Sequence, residues 1–178
     1  CCRYSACRAE PQEQSSGRGR KAREWISKPD VGLYINFLFS LDKQADLSGF
    51  SLAVAVSMRN AIRRLGGDIG FKWPNDLVRF DSNGFLRKLG GILVELIQGD
   101  SGELYVSTGI GLNLKPCEYE TTLKPLSLQE IIGKESEYIV VVAEVIDSFV
   151  EMCREYCVQG FSCFRDRWVD GSVIIGRN

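Results

Sequence analysis

Two turn tetrapeptides, Asp81-Ser82-Asn83-Gly84 and Gly99-Asp100-Ser101-Gly102, most constrain what this chain can fold into. Each combines glycine, which tolerates positive φ, with Asp, Asn or Ser side chains that bond their own backbone. Each is flanked by strand-length apolar runs: Leu77–Phe80 and Phe85–Leu89 around the first, Gly90–Ile97 and Glu103–Leu114 around the second. Tight turns between such runs make antiparallel hairpins. Further strands are predicted over residues 3–10, over Leu33–Leu41 and over Ile69–Trp73, the last stopped by Pro74. Ser48 is the expected N-cap of a helix through about Leu65, ended by Gly66-Gly67. Ser127 and Glu130 form a capping box for a short helix. Tyr138–Val158 is the longest helical segment, with Val142, Val145, Ile146, Phe149 and Met152 on one face. A last turn or two is expected over Phe161–Trp168, and the beginning of a strand over Ser172–Ile175. The fold class is therefore α+β: a mostly antiparallel, mixed sheet with helices packed on one face.

A length of 178 residues allows one domain with a sizeable core. Basic and acidic residues balance at 22 and 23, which argues against a general nucleic-acid coat. Positive charge is concentrated instead, with Arg18, Arg20, Lys21 and Arg23 crowding one polar loop over residues 11–32. Such local charge in a neutral chain suits a small anionic ligand. Seven cysteines include no CxxC pair, and histidine is absent, so a zinc site is not expected. The odd cysteine count fits a reducing compartment better than a disulfide framework. Without histidine, triad-type hydrolysis is disfavoured. No apolar run approaches the roughly 18 residues that span a membrane, and the start lacks a signal-peptide core. The expectation is a cytoplasmic protein, or an organellar one whose transit peptide has been removed.

The chemistry-bearing residues fall in two stretches. In Gly17-Arg18-Gly19-Arg20-Lys21-Ala22-Arg23, glycines let backbone N–H groups approach a ligand while guanidinium forks match phosphate or carboxylate oxygens. Lys72-Trp73-Pro74-Asn75-Asp76 adds a cation, an aromatic plane, an amide and a carboxylate. Together they suggest a pocket for a nucleotide and an activated carboxylate.

Four segments, in order, resemble the biotin protein ligase family. Gln14-Ser15-Ser16-Gly17-Arg18-Gly19-Arg20 followed by Trp25 is similar to its adenylate-binding loop, and Lys72-Trp73-Pro74-Asn75-Asp76-Leu77 to its most characteristic pentapeptide and neighbour. Arg87-Lys88-Leu89-Gly90-Gly91-Ile92-Leu93-Val94-Glu95 resembles its lysine-bearing strand, and Gly109-Ile110-Gly111-Leu112-Asn113 its adenine-side strand end. The resemblance implies the catalytic fold shared with lipoate ligases and class II aminoacyl-tRNA synthetases. It implies ATP and biotin as substrates, with Mg²⁺, and biotinyl-5′-AMP as the intermediate. The acceptor would be a lysine on the biotin carboxyl-carrier domain of a carboxylase. Fixed cations and backbone donors, rather than an enzyme nucleophile, can supply most of such catalysis.

By the same resemblance Lys88, Arg18, Arg20 and Lys72 are the catalytic cations. Gln14, Gly17, Arg18, Trp73, Lys88 and Gly91 would bind biotin, with Gly91 leaving room for the bicyclic ring. Arg18, Arg20, Trp25, Lys72, Asn75, Asp76 and Asn113 would bind ATP, and Asp76 could hold Mg²⁺ through water or orient Arg20. Residues 1–170 would form the catalytic domain, without a Ser-Thr-containing strand and helix usual in the family, and 171–178 the start of a C-terminal β-barrel. Ala22 stands where the family commonly has glycine. A homodimer is compatible with the resemblance; no nucleic-acid or membrane partner is implied. Two other readings stay open: a lipoate or octanoate ligase or transferase of the same fold, and a noncatalytic biotin-binding or dimerisation module.

Overall fold

The computed structural model describes residues 3–10, 17, 19, 25, 28–41, 46–100, 102–118 and 121–174. Six strands form one sheet: β1 (Arg3–Glu10), β2 (Gly32–Leu41), β3 (Gly70–Lys72), β4 (Asp76–Phe80), β5 (Leu86–Gln98) and β6 (Leu104–Asn113), in the order β1-β2-β6-β5-β4-β3. Every named pair is antiparallel, and the two isolated bridges, Phe71 with Ser172 and Lys88 with Pro125, are parallel. The helices are α1 (Phe50–Arg64), α2 (Leu128–Ile132), α3 (Tyr138–Gln159) and α4 (Arg165–Gly171), with a 3₁₀ turn over Gly160–Cys163. No helix among the described residues is long and apolar enough to cross a membrane.

Both turn tetrapeptides behave as their chemistry dictates. Asp81 Oδ1 accepts the N–H groups of Asn83 and Phe85 at 3.0 and 2.9 Å, and Gly84 takes φ 79°. In the second, Gly99 N–H donates to the Glu103 carbonyl at 2.8 Å, with Gly102 at φ 87°. Three sequence expectations are corrected. The two runs Phe85–Leu89 and Gly90–Ile97 are one 13-residue strand, because both glycines are paired with β4 and β6 instead of breaking the ladder. The cap of α1 is Gly49 at φ 74°, not Ser48. Asp46 Oδ1 takes the Ser48 N–H at 2.8 Å, so the chain turns one residue later than expected. At the end of the chain, Ser172 makes only an isolated bridge and residues 173–174 form a bend; the remainder of that expected strand lies outside the described residues. The short helix at Ser127 and the helix through Val158 form as expected, the latter ending at Gln159.

Alternation along the strands sends Leu33, Ile35, Phe37 and Phe39 of β2, and Val106, Ile110 and Leu112 of β6, into the core. There α1 and α3 cover them; Phe37 stacks on Phe149 with ring centroids 3.8 Å apart. The helices thus occupy one face, leaving the opposite face of β5 and β6 open for a site.

One ionic cluster ties α1 to the connection before β3 and to α4. Asp68 accepts from Arg59 Nε at 2.7 Å and from Arg63 Nε at 3.0 Å, while Arg59 Nη1 reaches Asp170 of α4 at 2.9 Å. The Arg59 hydrogen bond, foremost, holds the Asp68 carboxyl well below the ordinary carboxylate range. A depressed folded-state pKa makes this stabilisation complete above the unfolded value, about 3.9, and lost as pH falls below it. Asp68→Asn is therefore expected to lower Tm by a few degrees at pH 7, in line with a half-exposed charged hydrogen bond of about 1 kcal/mol. Thermal melts from pH 7 to 2 should show the gap between variant and parent closing below about pH 4.

Candidate active site

The site is built where β4, β5 and β6 meet. Asp76 begins β4 immediately after the turn at Trp73-Pro74-Asn75. Asn75 staples this turn to β5: its Nδ2 donates to the Ile92 carbonyl at 2.9 Å, and Ile92 N–H returns a bond to the Asn75 carbonyl at 3.0 Å. The register then pairs Asp76 with Gly91, Leu77 with Gly90, and Val78 with Lys88, so Leu89 is an extra residue in β5. Such a bulge resets which side chains share a face. It is why Lys88 and Gly91, three positions apart, come together: Lys88 Nζ lies 3.6 Å from where a Gly91 Cβ would stand.

Lys88 Nζ meets Asp76 Oδ1 at 2.6 Å, both side chains being roughly three-quarters buried. The ammonium also lies 5.4 Å from the Trp25 ring centroid, within cation–π range. Trp25 rests on a floor made of two glycines. Gly91 and Gly111 are directly paired across β5 and β6. A Cβ on Gly111 would stand 2.5 Å from Trp25 Cζ2, and one on Gly91 3.2 Å from Cζ3. A Cβ at Gly111 leaves no room for the ring, and one at Gly91 would make it give by a few tenths of an ångström. Trp25 Nε1 is buried with no hydrogen-bond partner among the described residues. The Trp25 backbone N–H donates to the Gly17 carbonyl at 2.9 Å, closing the two ends of the glycine–arginine loop on each other.

Asn113, at the end of β6, is 7% exposed. Its Nδ2 donates to the carbonyls of Lys88 and Leu126, both at 3.3 Å. Lys72 is opposite Asp76 in the β3–β4 register. Trp73 exposes 63% of its surface, standing at the rim rather than inside. Gln14, Arg18 and Arg20 lie outside the described residues. The structure thus brings together Trp25, Asn75, Asp76, Lys88, Gly91 and Asn113, with Gly17 joined through the loop.

Gly111 lies in the segment Gly109–Asn113 but is given no site role of its own from the sequence, although a signal for one exists. Gly91 and Gly111 flank the Gly99–Gly102 turn at nearly equal separation, so a hairpin there must set them opposite each other. Gly90 is needed for another reason. A Cβ there would collide with the Gly111 carbonyl oxygen, a backbone atom that cannot yield without disturbing the ladder. Gly109, by contrast, has nothing nearer than 3.8 Å to an added Cβ. Gly90→Ala is expected to cost about 1–3 kcal/mol in urea denaturation, and Gly109→Ala less than about 0.5 kcal/mol.

Comparison with known proteins gives this arrangement a setting. The family model described as Biotin/lipoate A/B protein ligase family matches residues 11–113, more than half of the chain. The Bifunctional ligase/repressor BirA of Salmonella typhimurium is 33% identical over 168 residues, which is 92% of this chain and 50% of that protein. The Biotin--[acetyl-CoA-carboxylase] ligase of Paracoccus denitrificans is 26% identical over 175 residues, 93% of this chain and 70% of that one. The chain spans about half the length of the Salmonella relative. Among solved structures, the biotin protein ligase from Aquifex aeolicus in complex with biotin and ATP superposes with a TM-score of 0.80 at 25% identity, covering 98% of this chain and 72% of that one.

Proposed function

Because the chain belongs to the biotin/lipoate A/B protein ligase family, we propose that its site activates biotin with ATP and passes the biotinyl group to a protein lysine. The observation that carries this reading is Lys88: an ammonium held at the edge of a two-glycine floor, beside an aromatic ring and a carboxylate.

In the first step a biotin carboxylate oxygen attacks the α-phosphorus of ATP, and the bond to pyrophosphate breaks. Negative charge develops on the phosphoryl oxygens between the two reactants. Lys88 is assigned, by family resemblance, to bridge the carboxylate and the α-phosphate, and a preorganised charge at such a point needs no reorganisation as the reaction proceeds. In the second step the ε-amine of the acceptor lysine attacks the acyl carbon. The acyl–oxygen bond breaks, AMP leaves with the bonding electron pair, and the amine loses a proton to solvent. The acceptor would be the biotin carboxyl-carrier domain of a carboxylase.

The residues fit the proposed ligands. The Gly91–Gly111 floor accepts a flat group at van der Waals distance, as the resting Trp25 ring does. Trp25 Nε1, without a partner among the described residues, gives a bound ligand or its water a donor to meet. Asp76, paired with Lys88, would by family resemblance hold Mg²⁺ through water, and the ion would neutralise phosphate charge. Gln14, Arg18, Arg20, Lys72 and Trp73 are assigned to ligand and phosphate contacts by family resemblance, and Asn113 to the adenine side.

The test is formation of biotinyl-5′-AMP from biotin and ATP, followed by transfer to a carrier domain. Lys88→Gln is expected to lower the rate of adenylate formation about 10²–10³-fold, the loss typical of one charge-stabilising group. An unchanged rate would remove Lys88 from the mechanism. Replacing biotin by lipoate should give no acyl-adenylate; the reverse preference would move the chain to the lipoate branch of its family.

A further inference from the structure

The backbone of Lys88 is held from a side that the chemistry does not use. Pairing of β5 with β6 reaches its end at Gly90 and Leu112. Beyond it, residues 124–126 take the place of β6 as the neighbour of β5, with Pro125 bridged in parallel to Lys88. Lys88 N–H donates to the Lys124 carbonyl at 2.9 Å, and Leu126 N–H donates to the Lys88 carbonyl at 2.7 Å. Three residues of irregular chain form a weak neighbour unless something clamps them, because ordering each residue costs on the order of 1–2 kcal/mol.

Two side chains supply the clamp. Asn113 Nδ2 bonds the Leu126 carbonyl as well as that of Lys88, joining the two across the end of the sheet. Arg87 holds the middle of the segment: its Nε donates to the Pro125 carbonyl at 3.1 Å, and its Nη2 donates to the same oxygen. The third arm, Nη1, meets Glu130 Oε1 at 2.8 Å. Glu130 in turn uses Oε2 to accept the Ser127 N–H at 2.9 Å in the capping box of α2. Burial works to raise the Glu130 pKa, but hydrogen bonds from Ser127 and Arg87 keep it below the ordinary value. A single guanidinium therefore fastens β5, segment 124–126 and α2 together next to the residue that carries the proposed chemistry.

We infer that Arg87 is a positioning residue for Lys88, acting through segment 124–126, which it clamps against β5. The inference rests on the assignment of Lys88 as the cation of adenylate formation. With the segment loosened, the Lys88 backbone keeps only its β4 partner and the Asn113 amide. The ammonium then loses the fixed anchor from which it reaches carboxylate and phosphate together.

The experiment compares Arg87→Met, Arg87→Lys and Lys88→Gln in the full-length protein, measuring kcat and KM for biotinyl-5′-AMP formation on protein shown by circular dichroism to be folded. Arg87→Met is expected to lower kcat about tenfold while the KM for biotin stays within about threefold, as a sub-ångström displacement of a catalytic group would do. Arg87→Lys, which retains a donor to the Pro125 carbonyl, should recover most of that rate. A kcat for Arg87→Met within twofold of the parent would overturn the inference, as would a loss matched wholly by the unfolded fraction. If Arg87→Met does not fold, Arg87→Gln, which keeps polarity but loses the charge and the two-bond fork to Pro125, takes its place: a kcat lowered severalfold in folded protein supports the inference, and a kcat within twofold of the parent overturns it. Lys88→Gln separates the two claims. Parental activity there would remove the functional assignment itself, whereas its loss beside an unaffected Arg87→Met removes only the role of Arg87.

Discussion

The close approach of β5 and β6 at their glycines is the constraint on which the rest of the site depends. Gly90 has no room for a Cβ against the Gly111 carbonyl, and Gly91 and Gly111 lie bare beneath an aromatic ring. These positions let two backbones and a ring occupy a space that any side chain would fill. The core cannot compensate from the other face, because Ile92, Ile110 and Leu112 are already packed there under α1 and α3. What rests on the floor is therefore set by shape.

Around that floor the charges are arranged as partners for one another. Lys88 is paired with Asp76 and sits close to the Trp25 ring, so the site holds a cation near the floor without leaving it unpaired. A buried isolated ammonium would be costly, and a neighbouring carboxylate makes burial tolerable. Asp76 can serve because the Asn75 staple fixes the start of β4 against Ile92 of β5. The same economy appears away from the site, where Asp68 gathers Arg59 and Arg63 and Arg59 extends to Asp170 of α4.

Much of this is legible in the chain. The turn chemistry of Asp81–Gly84 and Gly99–Gly102 announces the hairpins, and the Ser127–Glu130 spacing announces the capped helix. These are local effects, settled by a side chain and the backbone within four residues of it. The α1 cap falls one residue beyond its expected position because Asp46, outside the capping motif, captures the Ser48 N–H. The strand through Gly90-Gly91 reads as two because glycine weakens a strand in isolation, whereas here neighbours on both sides hold it.

The candidate residues divide in the same way. Sequence alone determined the α+β class, the local turns, the capping box of α2 and the residue types of the site, since Lys88, Asp76, Gly91 and Trp25 are set by composition and motif. Tertiary structure decided that Leu89 bulges and turns Lys88 toward Gly91, and that Gly111 completes the floor. It also decided that Asn113 and Arg87 bind a segment from elsewhere in the chain against Lys88. Those outcomes depend on register between strands and on contacts between residues 13 to 38 positions apart. Local propensity carries no record of such distances; only the closed sheet, packed against its helices, fixes them.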